Sequence, residues 1–110
     1  MVPMKKLVIT LILVLIATPA IAEERTWQES CQTTANLAEI VMTRRQEGVS
    51  IVEMVTIVKD MPIGSKEREL TESILIDAYG QPKFSTEEYI EEAITDFKNE
   101  VYLECAKSMR

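Results

Sequence analysis

The chain has 110 residues, of which 46% are hydrophobic and 27% charged, and its formal net charge is −6 at neutral pH. It contains no histidine and only two cysteines. The acidic balance argues against binding to nucleic acid or anionic lipid, because both require clustered Lys and Arg. Without histidine there is no ready general base near neutral pH and too few zinc ligands, so we expect no enzyme activity, no metal and no cofactor.

The first 22 residues have the pattern of a secretory signal. Two lysines, Lys5 and Lys6, precede an apolar stretch over residues 7–16. A proline and the small residues of an A-x-A site that ends at Ala22 follow this stretch. This pattern predicts a signal peptide over residues 1–22, cleaved between Ala22 and Glu23. The alternative is an uncleaved membrane anchor, which needs about 20 predominantly apolar residues.

Cleavage would leave residues 23–110 as a single domain. This mature chain has ten Lys and Arg against eighteen Asp and Glu, so its net charge is −8. A chain of this length forms one small hydrophobic core. We expect a protein that works in the periplasm or is secreted, with no stable membrane anchor after cleavage.

Cys31 and Cys105 are the only cysteines of the chain. In an oxidising compartment a lone pair of cysteines in a small domain predicts a structural disulfide. A redox site would place the two cysteines close together in sequence, as in Cys-x-x-Cys. We therefore expect one disulfide that joins the two ends of the mature chain.

Glycine and proline divide the mature chain into four segments with helical periodicity. The predicted helices cover residues 26–47, 50–61, 65–79 and 85–110. Ser50 and Ser85 are each followed three residues later by a glutamate, which predicts a capping box at the start of the second and fourth helices. The predicted fold is all-α: a small four-helix domain in which two long terminal helices flank two short ones.

Apolar residues recur at steps of three and four in each segment, and they predict the faces that form the core. These residues are Trp27, Cys31, Thr34, Ala38, Val41 and Met42 in the first helix, Ile51, Met54, Val55 and Val58 in the second, Leu70, Ile74 and Ala78 in the third, and Ile90, Ile94, Phe97, Val101 and Cys105 in the fourth. Each helix is therefore predicted to bury one face.

Acidic residues recur every four positions along the last predicted helix and form what we call the acidic ridge. Its members are Glu88, Glu92, Asp96, Glu100 and Glu104. Like charges at this spacing destabilise a helix by a few tenths of a kcal/mol per pair. We expect either a docking strip for a basic partner, centred on Glu92, Asp96 and Glu100, or a solvated face that keeps an exported protein soluble.

Arg44 and Arg45 lie at the end of the first predicted helix, and Arg45 falls on the same face as the core residues. The structural interpretation is that its stem covers apolar surface while its head reaches a carboxylate. The alternative is a contact with an anionic group of a partner. Tyr79 precedes the Gly80 stop, and it is predicted either to fill the core or to anchor an interface.

The layout resembles that of small exported two-cysteine helical proteins of proteobacteria and their phages. The matching elements are Cys31, the run Arg45-Gln46-Glu47-Gly48 and Cys105. This resemblance implies a helical fold and an exported location, and it attaches no activity. The architecture is also similar to that of the periplasmic acid-stress chaperones, whose two cysteines enclose a shorter central segment, so no residue roles carry over.

These observations predict a periplasmic, non-enzymatic helical domain that binds another envelope or periplasmic protein. One alternative is a holdase chaperone in which acid protonates the carboxylates, loosens the bundle and exposes apolar stripes. Another is a phage-encoded modulator of the envelope that acts in superinfection exclusion or lysis.

Overall fold

The computed structural model describes residues 26–109, and this part of the chain contains four α-helices and no strand. The helices are α1 at Trp27–Glu47, α2 at Ile51–Met54 with a 3₁₀ turn at Val55–Val58, α3 at Lys66–Tyr79 and α4 at Glu87–Ser108. The predicted all-α fold with four helices is confirmed. The predicted signal peptide and its cleavage site at Ala22 and Glu23 lie outside the described residues.

Helix α1 begins and ends where its sequence predicts. The Thr26 hydroxyl accepts a hydrogen bond from the Glu29 N–H at 3.3 Å, which satisfies one of the free amides of the first turn. Gly48 ends the helix with a φ of 90°, a conformation that costs glycine little because it has no Cβ. The Val49 N–H then donates to the Arg44 carbonyl at 3.1 Å and closes a Schellman motif.

Helix α2 is shorter than the sequence predicts. Ser50 caps it as expected, because its hydroxyl accepts from the Glu53 N–H at 3.2 Å. After Met54 the chain tightens into the 3₁₀ turn instead of continuing as an α-helix to Pro62. These four residues are all β-branched and therefore poor helix formers, and the Thr56 hydroxyl bonds to the Glu53 carbonyl at 2.6 Å. The continuous second helix was a wrong prediction.

Helix α4 starts one residue later than predicted. Thr86, and not Ser85, is the N-cap residue, and its side chain makes no capping hydrogen bond. The reason is tertiary: the N–H of Phe84 is held by the side chain of Gln46, which fixes the direction of the chain just before the helix. The Phe84 and Tyr89 rings still pack across the helix start, with 5.9 Å between their centroids.

Helix α1 is the centre of the domain, and α4 packs against it along most of its length. The two helices are antiparallel, since Cys31 near the start of α1 is bonded to Cys105 near the end of α4. Farther along, the Lys98 ammonium lies 3.3 Å from a Glu39 carboxylate oxygen. The third helix, α3, also packs on α1 and runs parallel to it, and α2 connects the two.

The core forms where α1, α2, α3 and α4 meet. Its buried residues are Ala38, Val41, Met42, Met54, Val58, Ile74, Leu75, Ala78 and Phe97. Three residues predicted to be buried are exposed instead: Trp27 by 37%, Val55 by 41% and Leu70 by 45%. Trp27 lies in the terminal turn, Val55 changes face because the 3₁₀ turn has a tighter period, and Leu70 faces a side of α3 that α4 does not cover.

The predicted disulfide between Cys31 and Cys105 is confirmed. The two Cα atoms are 5.5 Å apart across a sequence separation of 74 residues, and Cys31 is completely buried. A small domain has a core of limited stabilising power, so a covalent link across nearly the whole chain makes a large contribution to its stability.

We expect the Cys31→Ala/Cys105→Ala double variant to lose about 4 kcal/mol of unfolding free energy, the chain-entropy value for a loop of this length. Urea denaturation followed by circular dichroism measures the loss. Wild-type protein kept reduced with dithiothreitol is the control and should unfold at the same urea concentration as the variant. An unchanged midpoint in the variant would contradict a stabilising role for the bond.

Candidate functional site

A groove runs along α4, bordered at one end by the loop between α3 and α4 and toward the disulfide by α3. Both helices pack on α1, but their backbones make almost no direct contact with each other. The side chains that face each other there include the polar Ser73 and Asp77 of α3 and Glu104 of α4. Burial of such groups without partners is unfavourable, which opposes closer packing of the two helices. Ser30 and Thr34 of α1 line the bottom of the groove near the disulfide.

The groove contains three adjoining cavities of about 320, 260 and 340 Å³. The first lies at the end nearest the α3–α4 loop and shares Glu100 with the second. The second shares Glu104 with the third, which lies beside the disulfide. The lining runs from Tyr89 of α4 to Met109, the C-cap residue of this helix, a distance of about 30 Å at the rise of an α-helix.

Five carboxylates line the groove, four from the acidic ridge on α4 and one from α3. They are Glu92, Asp96, Glu100, Glu104 and Asp77. No Lys or Arg lines any of the three cavities, and none of the five takes part in an ion pair within residues 26–109. Within the described part of the domain, no direct ion pair neutralises the carboxylates of the groove.

The acidic ridge enters the groove gradually along α4. Four residues advance an α-helix by about 40° more than one full turn, so the ridge winds around the helix axis. Glu88, in the first turn, lines none of the three cavities, whereas Glu104 lies between α3 and α4. Glu88 thus lies outside the groove and the four later members of the ridge line it, and all five carboxylates are exposed.

Large apolar side chains line both ends of the groove. The rings of Phe84 and Tyr89 lie at the loop end, and Leu70, Val101 and Met109 lie at the disulfide end. Leu70, Met109 and Tyr89 are 45%, 51% and 55% exposed. Apolar side chains that are gathered in one exposed groove and bordered by polar groups are typical of an interaction surface.

Gln46 fastens the loop between α3 and α4 to the end of α1. Its side chain is 5% exposed. The Nε2 amide donates to the Pro82 carbonyl at 2.9 Å, and the Oε1 atom accepts from the Phe84 N–H at 2.8 Å. One side chain therefore satisfies two backbone groups of the loop and sets the place where the Phe84 ring enters the groove.

Arg45 makes a second attachment to the same loop. Its Nε and Nη2 atoms donate to the Gln81 carbonyl at 3.2 and 3.1 Å, and its guanidinium lies 5.4 Å from the centroid of the Tyr79 ring. The head thus contacts a carbonyl and an aromatic face, whereas the sequence predicted a carboxylate. Arg44 makes no hydrogen bond with this loop and pairs instead with Glu47 at 2.8 Å. This ion pair is exposed and therefore contributes little to the stability of the fold.

Tyr79 links α3 to the start of α2. Its hydroxyl donates to the Val49 carbonyl at 2.7 Å. Partial burial raises the pKa of Tyr79 above its ordinary value of 10.0, the charge of Arg45 opposes this rise, and the charge of Glu53 adds to it. The phenol therefore keeps its proton, and with it this hydrogen bond, throughout the neutral range.

A shallow cavity of about 560 Å³ lies on the other side of the α3–α4 loop. Arg45 and Lys83 line it together with the apolar Ile51 and Ile76. This is the place where the alternative prediction for Arg45, a contact with an anionic group, would apply. Arg45 is already hydrogen-bonded to the loop there, so its role at this position is structural.

The described residues contain few other features that suggest a binding or catalytic site. Within residues 26–109 no group of three or more His, Cys, Asp or Glu is placed to hold a metal ion, and every buried side-chain nitrogen or oxygen has a hydrogen-bond partner. None of the helices in this range is both long and apolar enough to span a membrane.

Comparison of the chain with protein-family models, with curated proteins and with solved structures finds no match in any of the three.

Sequence patterns identified the acidic ridge but missed the surface opposite it. Asp77 is a single carboxylate in a helix of ordinary composition, and only the fold places it across from Glu104. The role of Gln46 could have been recognised from its position in the sequence. It follows Ala38 and Met42 at a spacing of four residues, so it is a polar residue in the register of the core, which indicates a buried amide with specific partners.

We expect Gln46→Leu to lower the unfolding free energy by about 2 kcal/mol, because the Pro82 carbonyl and the Phe84 amide lose their partner. Hydrogen exchange at the Phe84 amide should accelerate. Gln32→Leu is the matched control: Gln32 is exposed and bonds only to Asn36, so it should change stability by less than about 0.5 kcal/mol. Unchanged exchange at Phe84 would contradict the attachment.

Proposed function

We propose that this chain is a small exported, non-enzymatic domain that binds a positively charged segment of another envelope or periplasmic protein in the groove along α4. The observation that carries the proposal is the row of five carboxylates along a groove that has apolar side chains at both ends and no Lys or Arg in its lining within residues 26–109. Export itself is supported by the signal pattern of residues 1–22 and by the disulfide between Cys31 and Cys105.

Electrostatics favour a basic occupant. Neighbouring carboxylates at a spacing of four residues repel one another, and a bound segment with Lys or Arg would turn these repulsions into attractions. Charges lining a concave surface also speed up the encounter with a partner of opposite sign. The exposed Leu70, Tyr89 and Met109 would lose contact with water at the same time, which adds a hydrophobic contribution to binding.

We expect the variant Glu92→Lys/Asp96→Lys/Glu100→Lys to lose the partners that the wild-type domain captures from a periplasmic extract. Two like-charged pairs at this spacing remain, and the two pairs with the unchanged Glu88 and Glu104 become opposite in charge, so the helix itself is not penalised further. The readout is mass spectrometry of captured proteins at low and high salt, because exposed charges are screened by salt.

The matched control is Asp60→Lys/Glu69→Lys/Glu91→Lys. These three carboxylates are also exposed, line none of the groove cavities and form no ion pair within residues 26–109, so the control carries the same change in charge. Partners lost by the groove variant but kept by the control support the proposal. Partners kept by both variants would overturn it.

A second candidate function, a holdase chaperone, is favoured by a different surface. Val52, Ile57 and Ile63 lie in and after α2 and are 74%, 43% and 91% exposed. Surface-exposed apolar side chains of this kind are able to bind the apolar segments of unfolded clients. Acid that loosens the packing would expose more of the same surface.

We expect a holdase to suppress aggregation of a denatured client protein at about pH 3, where acid loosens packing, and light scattering measures this. The variant Val52→Ser/Ile57→Ser/Ile63→Ser should lose the protection, while Glu92→Lys/Asp96→Lys/Glu100→Lys should keep it. No protection by the wild-type domain would exclude this candidate, and protection lost only in the groove variant would assign the activity to the groove.

A further inference from the structure

We infer that the cavity beside the disulfide is the pocket for an aromatic side chain of the bound segment, and that a Lys or Arg next to this side chain pairs with Asp77 and Glu104. This inference rests on the proposed function, and it specifies the chemistry of the partner. It follows from the walls of the cavity, its size, its lining and the position of the carboxylates that border it.

Three helices form the walls of this cavity. Leu70 of α3 and Met109 at the end of α4 lie on its sides, and Thr34 of α1 lies at its bottom. The bond between Cys31 and Cys105 joins α1 to α4 beside the cavity, and Cys105 itself is part of the lining. Two of the three walls are thus fixed to each other covalently, so binding does not first have to bring them together.

The size of the cavity fits one large side chain. Its volume is about 340 Å³. A cavity of about 150 Å³ in a protein core holds a benzene molecule, so this one has room for a phenyl or indole group together with the backbone atoms next to it. Side chains of this size contribute most to the stability of many protein interfaces, because each buries a large apolar area in a pocket of the partner.

The lining of the cavity favours an aromatic group. Leu70 and Met109 are exposed large apolar side chains, and an occupant of the cavity would remove both from water, which is favourable. The thioether sulfur of a methionine also makes favourable contacts with aromatic rings. An aromatic ring therefore gains a contact with Met109 that an aliphatic side chain of similar size does not.

Two carboxylates lie where this cavity meets the middle cavity of the groove. Asp77 and Glu104 line both of them, and Glu100 follows in the direction of the loop. Within residues 26–109 no Lys or Arg lines either cavity. A cation of the segment that pairs with Asp77 or Glu104 therefore lies directly beside the bound ring, on its loop side.

Apolar surface and charge thus follow one another along the groove, and the occupant has to match this order. The pocket lies at the disulfide end, and the carboxylates extend from it toward the loop. At the loop end the Phe84 and Tyr89 rings lie next to Glu92 and Asp96, a combination that suits a further Lys or Arg. A matching segment carries its aromatic residue at one end of a basic run, whatever the conformation of its backbone.

The test uses three fluorescein-labelled peptides. The first has one Trp directly followed by a run of Lys, the second has Ala in place of the Trp, and the third separates the Trp from the same Lys run by a flexible Gly/Ser spacer. Fluorescence anisotropy measures binding to the oxidised domain. We expect the first peptide to bind at least about tenfold more tightly than the second, the effect of removing a buried interface residue, and more tightly than the third.

Two variants of the domain locate the bound ring. Ser73→Phe fills the cavity from α3 and Ser108→Phe fills it from α4, and both serines are exposed. The matched control is Thr95→Phe, because Thr95 is exposed on α4 and lines none of the three cavities. We expect each filling variant to reduce the preference for Trp over Ala to less than about threefold, while the control keeps it at about tenfold or more. Circular dichroism and thermal unfolding check that all three variants fold.

The outcomes separate this inference from the proposed function. Equal binding of the Trp and Ala peptides, or a preference for Trp that both filling variants keep, would overturn the aromatic pocket. Equal binding of the first and third peptides would overturn the adjacent cation. Absence of binding by all three peptides, together with capture of partners that the groove variant Glu92→Lys/Asp96→Lys/Glu100→Lys loses, would overturn the inference and leave the proposed function standing. Capture that is insensitive to the groove variant would overturn the proposed function itself.

Discussion

Helix α4 is held against α1 at both of its ends, and this double attachment is the constraint on which the remaining features depend. At one end the bond between Cys31 and Cys105 is covalent. At the other, the Gln46 side chain bonds to the Pro82 carbonyl and the Phe84 N–H in the loop that leads into α4. Both attachments lie on the α1 side of the helix. The carboxylates that line the groove take no part in these attachments, so the charge of α4 does not disrupt them.

The groove combines features that are unfavourable for the stability of a small domain. It gathers like charges at a spacing of four residues and leaves Leu70 and Met109 largely in water. The small core around Met42, Leu75 and Phe97 stabilises the folded state too little to offset these unfavourable features. The disulfide adds about 4 kcal/mol to the free energy of unfolding and so offsets them. Local departures from stabilising patterns that are offset elsewhere in a fold are typical of functional sites.

Much of the fold was predictable from local signals. The caps at Thr26 and Gly48 set the bounds of α1, and the lone pair of cysteines predicted the bond between its start and the end of α4. These predictions succeeded because each depends on a few neighbouring residues or on one strong covalent preference. The early end of α2 was also locally encoded, in a run of four β-branched residues that the helical period of the segment obscured.

Other features depend on contacts between distant segments and were not predictable in this way. The shift of the α4 cap from Ser85 to Thr86 follows from the bond between Gln46 and Phe84, which are 38 residues apart. The acidic ridge was visible as a pattern, but its meaning depends on the position of Asp77 on α3. Periodicity identifies the face of a helix, whereas only the packing of the helices decides what that face meets.

The position of the disulfide also has a mechanical consequence. Cys31 and Cys105 bracket almost all of the described domain, and their Cα atoms are 5.5 Å apart. Tension applied to the polypeptide on the outer sides of the two cysteines passes through the sulfur–sulfur bond, and the helices between them carry no load. Such a domain resists being pulled apart from its ends, and the loop end of its groove points away from both points of traction.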